Sequence, residues 1–179
     1  SLYSRLGDVM AAPDVDAIVA DFVRKTSDAQ VMGDFDAAVV FAQGEGADVA
    51  RMGVTGFCWG GRVTWMYCAH NAALKAGVAW YGRLVGDPSE IMPRHPVDIA
   101  AELKCPVLGL YGGADKGIPV ETVDQMRGAI KAVNGTSEIV VYPDTPHGFH
   151  ADYRDSYRPA AAADAWKRCL DWFKTHGVV

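Results

Sequence analysis

Hydrophobic residues along this chain follow two rhythms that alternate. Asp14 stands before Val15, Ile18, Val19 and Phe22, apolar positions three or four apart behind an N-capping residue, which predicts a helix. A second helix is predicted from about Ser27 to Gln43, with Phe35, Ala38, Val39 and Ala42 inward and Gly44 ending it. Met52 to Phe57 then reads as a short buried strand. Gly60 to Asn71 reads as a helix with Val63, Met66, Tyr67 and His70 along one side. Gly77 to Tyr81 and Pro106 to Tyr111 are near-continuous apolar runs of strand length, the pattern of parallel strands covered on both faces. Pro119 opens a helix with Val120, Val123, Met126, Ile130 and Val133 inward, closed by Asn134-Gly135. Glu138 to Pro143 is a fourth strand. The last helix starts at Pro159, carries a stripe of Ala162, Trp166, Cys169, Leu170 and Phe173, and ends at His176-Gly177. The segment from Arg83 to Val97, with Pro88, Pro93 and Pro96, is expected to be irregular.

Helices alternating with short buried strands predict an α/β fold, a mostly parallel sheet with helices on both faces. The 179 residues suit a single domain over 1–179, and no repeat, linker or low-complexity tract divides them. A net charge of −5 offers no basic face, so nucleic acid and anionic membrane surfaces are not expected partners. No run approaches 18 uncharged apolar residues, so no membrane span is expected. The four cysteines, Cys58, Cys68, Cys105 and Cys169, show neither C-x-x-C pairing nor metal-ligand rhythm. No metal or organic cofactor is expected. With no signal-peptide pattern at Ser1 to Arg5 either, the expectation is a reduced, cytoplasmic protein.

The block that carries chemistry is Gly56-Phe57-Cys58-Trp59-Gly60-Gly61, lying between a predicted strand and a predicted helix. G-x-C-x-G in that context has the form of a nucleophile elbow, with cysteine where serine is commoner. A strand turning sharply into a helix strains the nucleophile's backbone and leaves no room for side chains two positions to either side. The thiol then sits near the positive end of the following helix, which favours thiolate. A buried structural cysteine beside incidental glycines is the bland alternative.

Two later sites follow in the order nucleophile, acid, histidine. Gly112-Gly113-Ala114-Asp115 puts an acid just past a strand end, where loops line the crevice of an open α/β sheet. Asp115 as a plain helix cap or turn residue is the alternative. Pro143 to Phe149 places His147 in a tight loop after the last strand. Of the five histidines, His70, His95 and His176 have weaker contexts, while His150 lies too near His147 to dismiss. The roles that follow are proton acceptance from Cys58 by His147, tautomer control by Asp115, and attack on a carbonyl by Cys58. The backbone N–H of Trp59 is the natural oxyanion donor. Trp80, Tyr81, Ile118 and Phe149 are candidates for an apolar substrate pocket, though aromatics near a core also serve packing.

The blocks Gly56–Arg62, Gly112–Asp115 with Ile118-Pro119, and Pro146–Phe149 resemble those of dienelactone hydrolases, carboxymethylenebutenolidase-like enzymes. The resemblance covers essentially the whole chain. It implies an α/β-hydrolase fold and a Cys–Asp–His triad that hydrolyses a lactone or ester through an acyl-cysteine. Two departures stand out. Members acting on the dienelactone hold its carboxylate with arginines, one expected around Asp16 to Val23 and one a few residues past the histidine. Here those places carry Asp16, Ala20 and Val23, then His150, Ala151 and Asp152, with Arg24 and Arg154 offset. A preference for neutral esters is therefore expected. The family's first part also supplies a second oxyanion donor and a carboxylate against the resting thiol, and no segment here matches it. By the resemblance the fold lacks its first N-terminal strands. The expectation is that a separate N-terminal segment, or a second copy in a homodimer, pairs with the strand at 52–57.

Two other classes remain. A non-catalytic or regulatory α/β-hydrolase module would keep the fold without turnover, against which stands the full Cys58–Asp115–His147 set. A thiol redox protein would need a resolving cysteine near Cys58. Cys68, ten residues along a helix, would lie ~15 Å away.

Overall fold

A computed structural model describes residues 2–179, which divide into two compact units. The first comprises the chain up to Ala47 together with Asp87–Arg94. It contains α1 (Val15–Asp21) and α2 (Asp28–Gly44), and no strand among its described residues. Both helices begin as their sequences require. The Asp14 carboxylate accepts from the Ala17 N–H at 2.8 Å, and the Ser27 hydroxyl from the Gln30 N–H at 3.2 Å. The Asp28 N–H donates to Ile91 O, holding the 87–94 segment to the start of α2. Arg5 clamps Asp34 through two hydrogen bonds of 2.7 and 2.6 Å. The stripe expected on α2 is not buried as a stripe. Only Asp28 and Val31 are buried on this helix, Ala38 is exposed, and Val40 and Phe41 are each 70% exposed.

The second unit, Asp48–Gly86 with His95–Val179, holds the sheet. Its strands are β1 (Gly53–Phe57), β2 (Ala76–Trp80), β3 (Val107–Gly112) and β4 (Glu138–Tyr142). They are parallel and lie in sequence order. The fully apolar runs at β2 and β3 are the interior strands, and every residue in them is buried. Its helices are α3 (Trp59–His70), α4 (Val120–Ala132) and α5 (Pro159–Thr175).

The register shows how the faces are covered. Gly53 pairs with Ala76 and Val54 with Gly77, so the two pairs point to opposite faces. A Cβ on Gly53 would meet Phe173 and Val178, whereas one on Gly77 would meet Cys68 and Thr64. Helix α5 with the chain end after it therefore covers one face, and α3 the other. A short 3-10 segment, Pro96–Glu102, packs against both α3 and α4 and completes the α3 layer.

The sequence reading of 83–97 as irregular holds up to His95, and the 3-10 segment takes over at Pro96. His95 and Asp98 cap it, the His95 N–H donating to the Asp98 carboxylate at 2.8 Å. Two other expectations need correcting. In α5 the buried residues are Ala162, Ala165 and Cys169, while Trp166 and Leu170 are 45% and 46% exposed. Val133, expected inward, is 43% exposed because α4 has ended at Ala132. Strand β1, for which a pairing partner outside these residues is expected, is hydrogen-bonded among the described residues to β2 alone and is only partly buried.

Candidate active site

The chemistry gathers at the carboxyl ends of β1, β3 and β4, where the crevice of an open parallel sheet forms. Cys58 follows β1 directly and precedes the first residue of α3. Its backbone sits at φ 55°, ψ −118°, a conformation side chains seldom adopt and one the surroundings must enforce. They do so with hydrogen bonds and close packing. The Cys58 N–H donates to Trp80 O at 3.0 Å, and Cys58 O accepts from the Gly61 N–H at 2.9 Å. A Cβ on Gly56 would strike the Gly60 backbone, and one on Gly61 would lie 2.5 Å from Trp80 O. The glycine requirement thus falls on Gly56 and Gly61. Gly60, expected to be crowded for its own sake, has open space around its Cβ position.

Asp115 and His147 stand on two loops stitched together. The Gly113 N–H donates to Tyr142 O at 2.7 Å, and the Ala114 N–H to Thr145 O at 3.0 Å. A Cβ on Gly112 would collide with the Thr145 carbonyl, so the close approach of the loops depends on that glycine. The Asp115 side chain is 1% exposed. One of its oxygens accepts the Gly117 and Ile118 N–H groups at 2.8 and 3.2 Å, and the other lies 2.6 Å from His147 Nδ1. Residues in left-handed conformation flank the histidine, Asp144 at φ 54° and Gly148 at φ 72°, turning the chain in and out. Phe149 is fully buried next to it and anchors the loop.

The structure brings Cys58, His147 and Asp115 together in one hydrogen-bonded chain. The Cys58 sulfur is hydrogen-bonded to the His147 side chain and also receives the Trp59 N–H. Protonation follows from these contacts. The Asp115 carboxylate, with the Cys58 sulfur second, raises His147 to about 9. The hydrogen bond from His147, helped by the Trp59 N–H and the charge of Arg154, lowers the Cys58 thiol below its ordinary value against the cost of desolvation. Thiolate and imidazolium are the favoured pair.

Around this chain, Tyr81 sets its ring edge-on to His147, with centroids 5.0 Å apart, from a strained backbone at φ 37°. Burial raises its hydroxyl pKa, so the phenol stays neutral. Trp80, Ile118 and Phe149 are buried beneath. The Trp80 indole N–H donates to Thr55 Oγ1 at 3.1 Å, and the Ile118 backbone N–H is one of the Asp115 donors. His150 has a definite place too. Its ring stacks on Phe57 at 5.6 Å with the planes 4° apart, and lies 4.6 Å from the Trp80 ring and 5.7 Å from Trp166. Sequence reasoning missed this aromatic stack. Its signal was Phe57 beside Cys58 and His150 three residues after His147. Arg154, offset in sequence, acts on the Cys58 thiolate through its charge. Among the described residues no cluster of His, Cys, Asp and Glu has the makings of a metal site. No described helix is long and apolar enough to cross a membrane.

Comparison with known proteins gives the family. The model of the Dienelactone hydrolase family matches residues 1–177. A candidate carboxymethylenebutenolidase of Methylorubrum extorquens is 62% identical over 178 residues, which are 99% of this chain and 61% of that protein. One from Escherichia coli K12 is 52% identical over 98% of this chain and 65% of its own length. The crystal structure of a candidate dienelactone hydrolase from Klebsiella pneumoniae superposes with a TM-score of 0.94 at 53% identity, covering 97% of this chain and 72% of that one. The chain thus spans less than two thirds of the length of these two curated relatives. It belongs to the dienelactone hydrolase family.

Proposed function

We propose that this chain carries the catalytic centre of an enzyme hydrolysing carboxylic esters or lactones through an acyl-cysteine, with Cys58, His147 and Asp115 as its working groups. The observation that carries this reading is the continuous hydrogen-bonded chain from thiol to imidazole to buried carboxylate. The name of the curated relatives supports the bond class, since a butenolidase opens an unsaturated lactone.

In the proposed reaction the Cys58 thiolate attacks the carbonyl carbon and the carbonyl electrons move onto oxygen. The Trp59 N–H, directed at the sulfur, would donate to that oxyanion. As the intermediate collapses, the C–O bond to the leaving group breaks and the His147 imidazolium protonates the departing alkoxide. In a lactone that alkoxide stays tethered as the hydroxyl of the acyl-enzyme. Neutral His147 then takes a proton from water, which attacks the thioester. Cys58 leaves as thiolate and the imidazolium is restored. Asp115, held by two backbone N–H groups, keeps the Nδ1 proton in place and stabilises the imidazolium in each half.

The test is trapping. The protein is mixed with an aryl ester and quenched in acid, and an acyl group is sought on the peptide bearing Cys58. Turnover with the acyl group on another residue, or turnover retained in Cys58→Ala, would falsify the mechanism. Slow alkylation of Cys58 at neutral pH together with no hydrolysis would favour a non-catalytic module instead.

A further inference from the structure

We propose that Cys68 and Cys105 form a reversible disulfide site, closed by oxidants of the peroxide class and separate from the Cys58 centre. The two cysteines are far apart in sequence and meet through the sheet. Cys68 lies in the last turns of α3 with its sulfur over β2, where a Cβ on Gly77 would stand 2.5 Å from it. The Gly77 N–H donates to Pro106 O at 3.0 Å, and the Lys104 N–H donates to the Cys68 carbonyl at 3.0 Å. Cys105 is therefore bracketed. The residue before it is bonded to the backbone of Cys68, and the residue after it to the glycine beneath the Cys68 sulfur. The two thiols are hydrogen-bonded to each other, and both residues are buried, Cys68 fully and Cys105 at 8% exposure. A disulfide between them would bring the sulfurs to about 2.05 Å.

The pair is also asymmetric in the way disulfide chemistry uses. The contact between the thiols lowers the Cys105 pKa and raises that of Cys68. Cys105, the less buried of the two, is thus the attacking thiolate. Its sulfur displaces hydroxide from hydrogen peroxide and becomes a sulfenic acid. The Cys68 sulfur then attacks the sulfenic sulfur, forming the S–S bond, and the hydroxyl leaves as water with the Cys68 proton. The two sulfurs lose two electrons and the peroxide oxygens gain them. Neither other cysteine fits this role. Cys58 is committed to His147, and burial alone pushes Cys169 up to about 11. About nine or ten residues of α3 at 1.5 Å each put the pair ~15 Å from Cys58.

The experiment is peptide mapping of the whole chain after hydrogen peroxide treatment, acid quenching, alkylation of free thiols and digestion without reductant. The expected product is a cross-linked peptide joining Cys68 to Cys105, with a mass two hydrogens below the sum, lost on adding dithiothreitol. Cys68→Ser and Cys105→Ser should each abolish it. Free, alkylated Cys68 and Cys105 at peroxide levels that already oxidise Cys58 would overturn the proposal. A cross-link joining any other pair of cysteines would do the same.

Discussion

Replacing Asp115 by Asn tests the electrostatics of the site with little change of shape. The carboxylate is the largest cause of the raised His147 pKa, and the Cys58 sulfur is second. A raised pKa means that the imidazolium persists above the ordinary value of 6.5 and is lost as pH rises through about 9. The Cys58 thiol is shifted the other way, so thiolate persists below the usual thiol range and is lost only as pH falls through that depressed value. Acylation needs thiolate and imidazolium together and should follow a bell whose alkaline limb belongs to His147. Full conversion of the difference between 6.5 and 9 gives ~3 kcal/mol. The His147 side chain is 34% exposed, so solvent screens part of this, and Cys58 supplies another part. About 1–2 kcal/mol is left to Asp115, equivalent to an alkaline limb moved down by about one pH unit. Turnover should fall about ten- to a hundredfold, less than in Cys58→Ala, because the thiolate does not depend on proton transfer during attack. The assay is the pH dependence of kcat/KM on an aryl acetate for both proteins. An alkaline limb that stays in place in Asp115→Asn while turnover collapses would refute this account of the carboxylate.

Cys58→Ala and His147→Ala should each remove nearly all turnover, and the double variant should cost little more, because the groups act as a unit; initial rates on one ester check this. Gly61→Ala should destabilise the protein by about 1–3 kcal/mol in urea unfolding, since its Cβ would sit 2.5 Å from Trp80 O and 2.9 Å from Gly82 N. An acid-bearing ester and its methyl ester should be turned over at similar rates, for the places where the family pattern expects arginines carry Asp16, Ala20 and Val23, and His150, Ala151 and Asp152. A strong preference for the acid that disappears in Arg154→Ala would instead assign the anion to Arg154, whose charge already reaches Cys58.

Much of the second unit was legible because its signals are local. Continuous apolar runs marked β2 and β3 as interior strands, and the cysteine between strand and helix marked the elbow. The loops bearing Asp115 and His147 were visible as strand ends followed by glycine and proline. What escaped notice depends on neighbours remote in sequence. The 3-10 turn at Pro96–Glu102 exists because His95 and Asp98 cap it and α3 and α4 flank it. Apolar periodicity read Trp166 and Leu170 as core, but the sheet face under α5 is filled by the small residues Ala162 and Ala165 with Cys169. In α2 the apolar positions are real, yet burial needs a covering surface, and periodicity alone does not supply one.

The site shows the same division between what residues announce and what their placement decides. A G-x-C-x-G block marks a candidate nucleophile, but an exposed cysteine at an ordinary pKa would be mostly thiol at neutral pH. The protonation state is set by three contacts from three places in the chain. Asp115 comes from the end of β3, His147 from the end of β4, and the Trp59 N–H from the start of α3. Two of these are held in register by hydrogen bonds between backbone groups at Gly113 and Tyr142 and at Ala114 and Thr145, where no side-chain identity appears. The visible trace of that stitching is Gly112, since any larger residue would drive the acid loop from the histidine loop. Gly112 therefore acts on the charge of Cys58 without touching it, by fixing the distance across which Asp115 polarises His147.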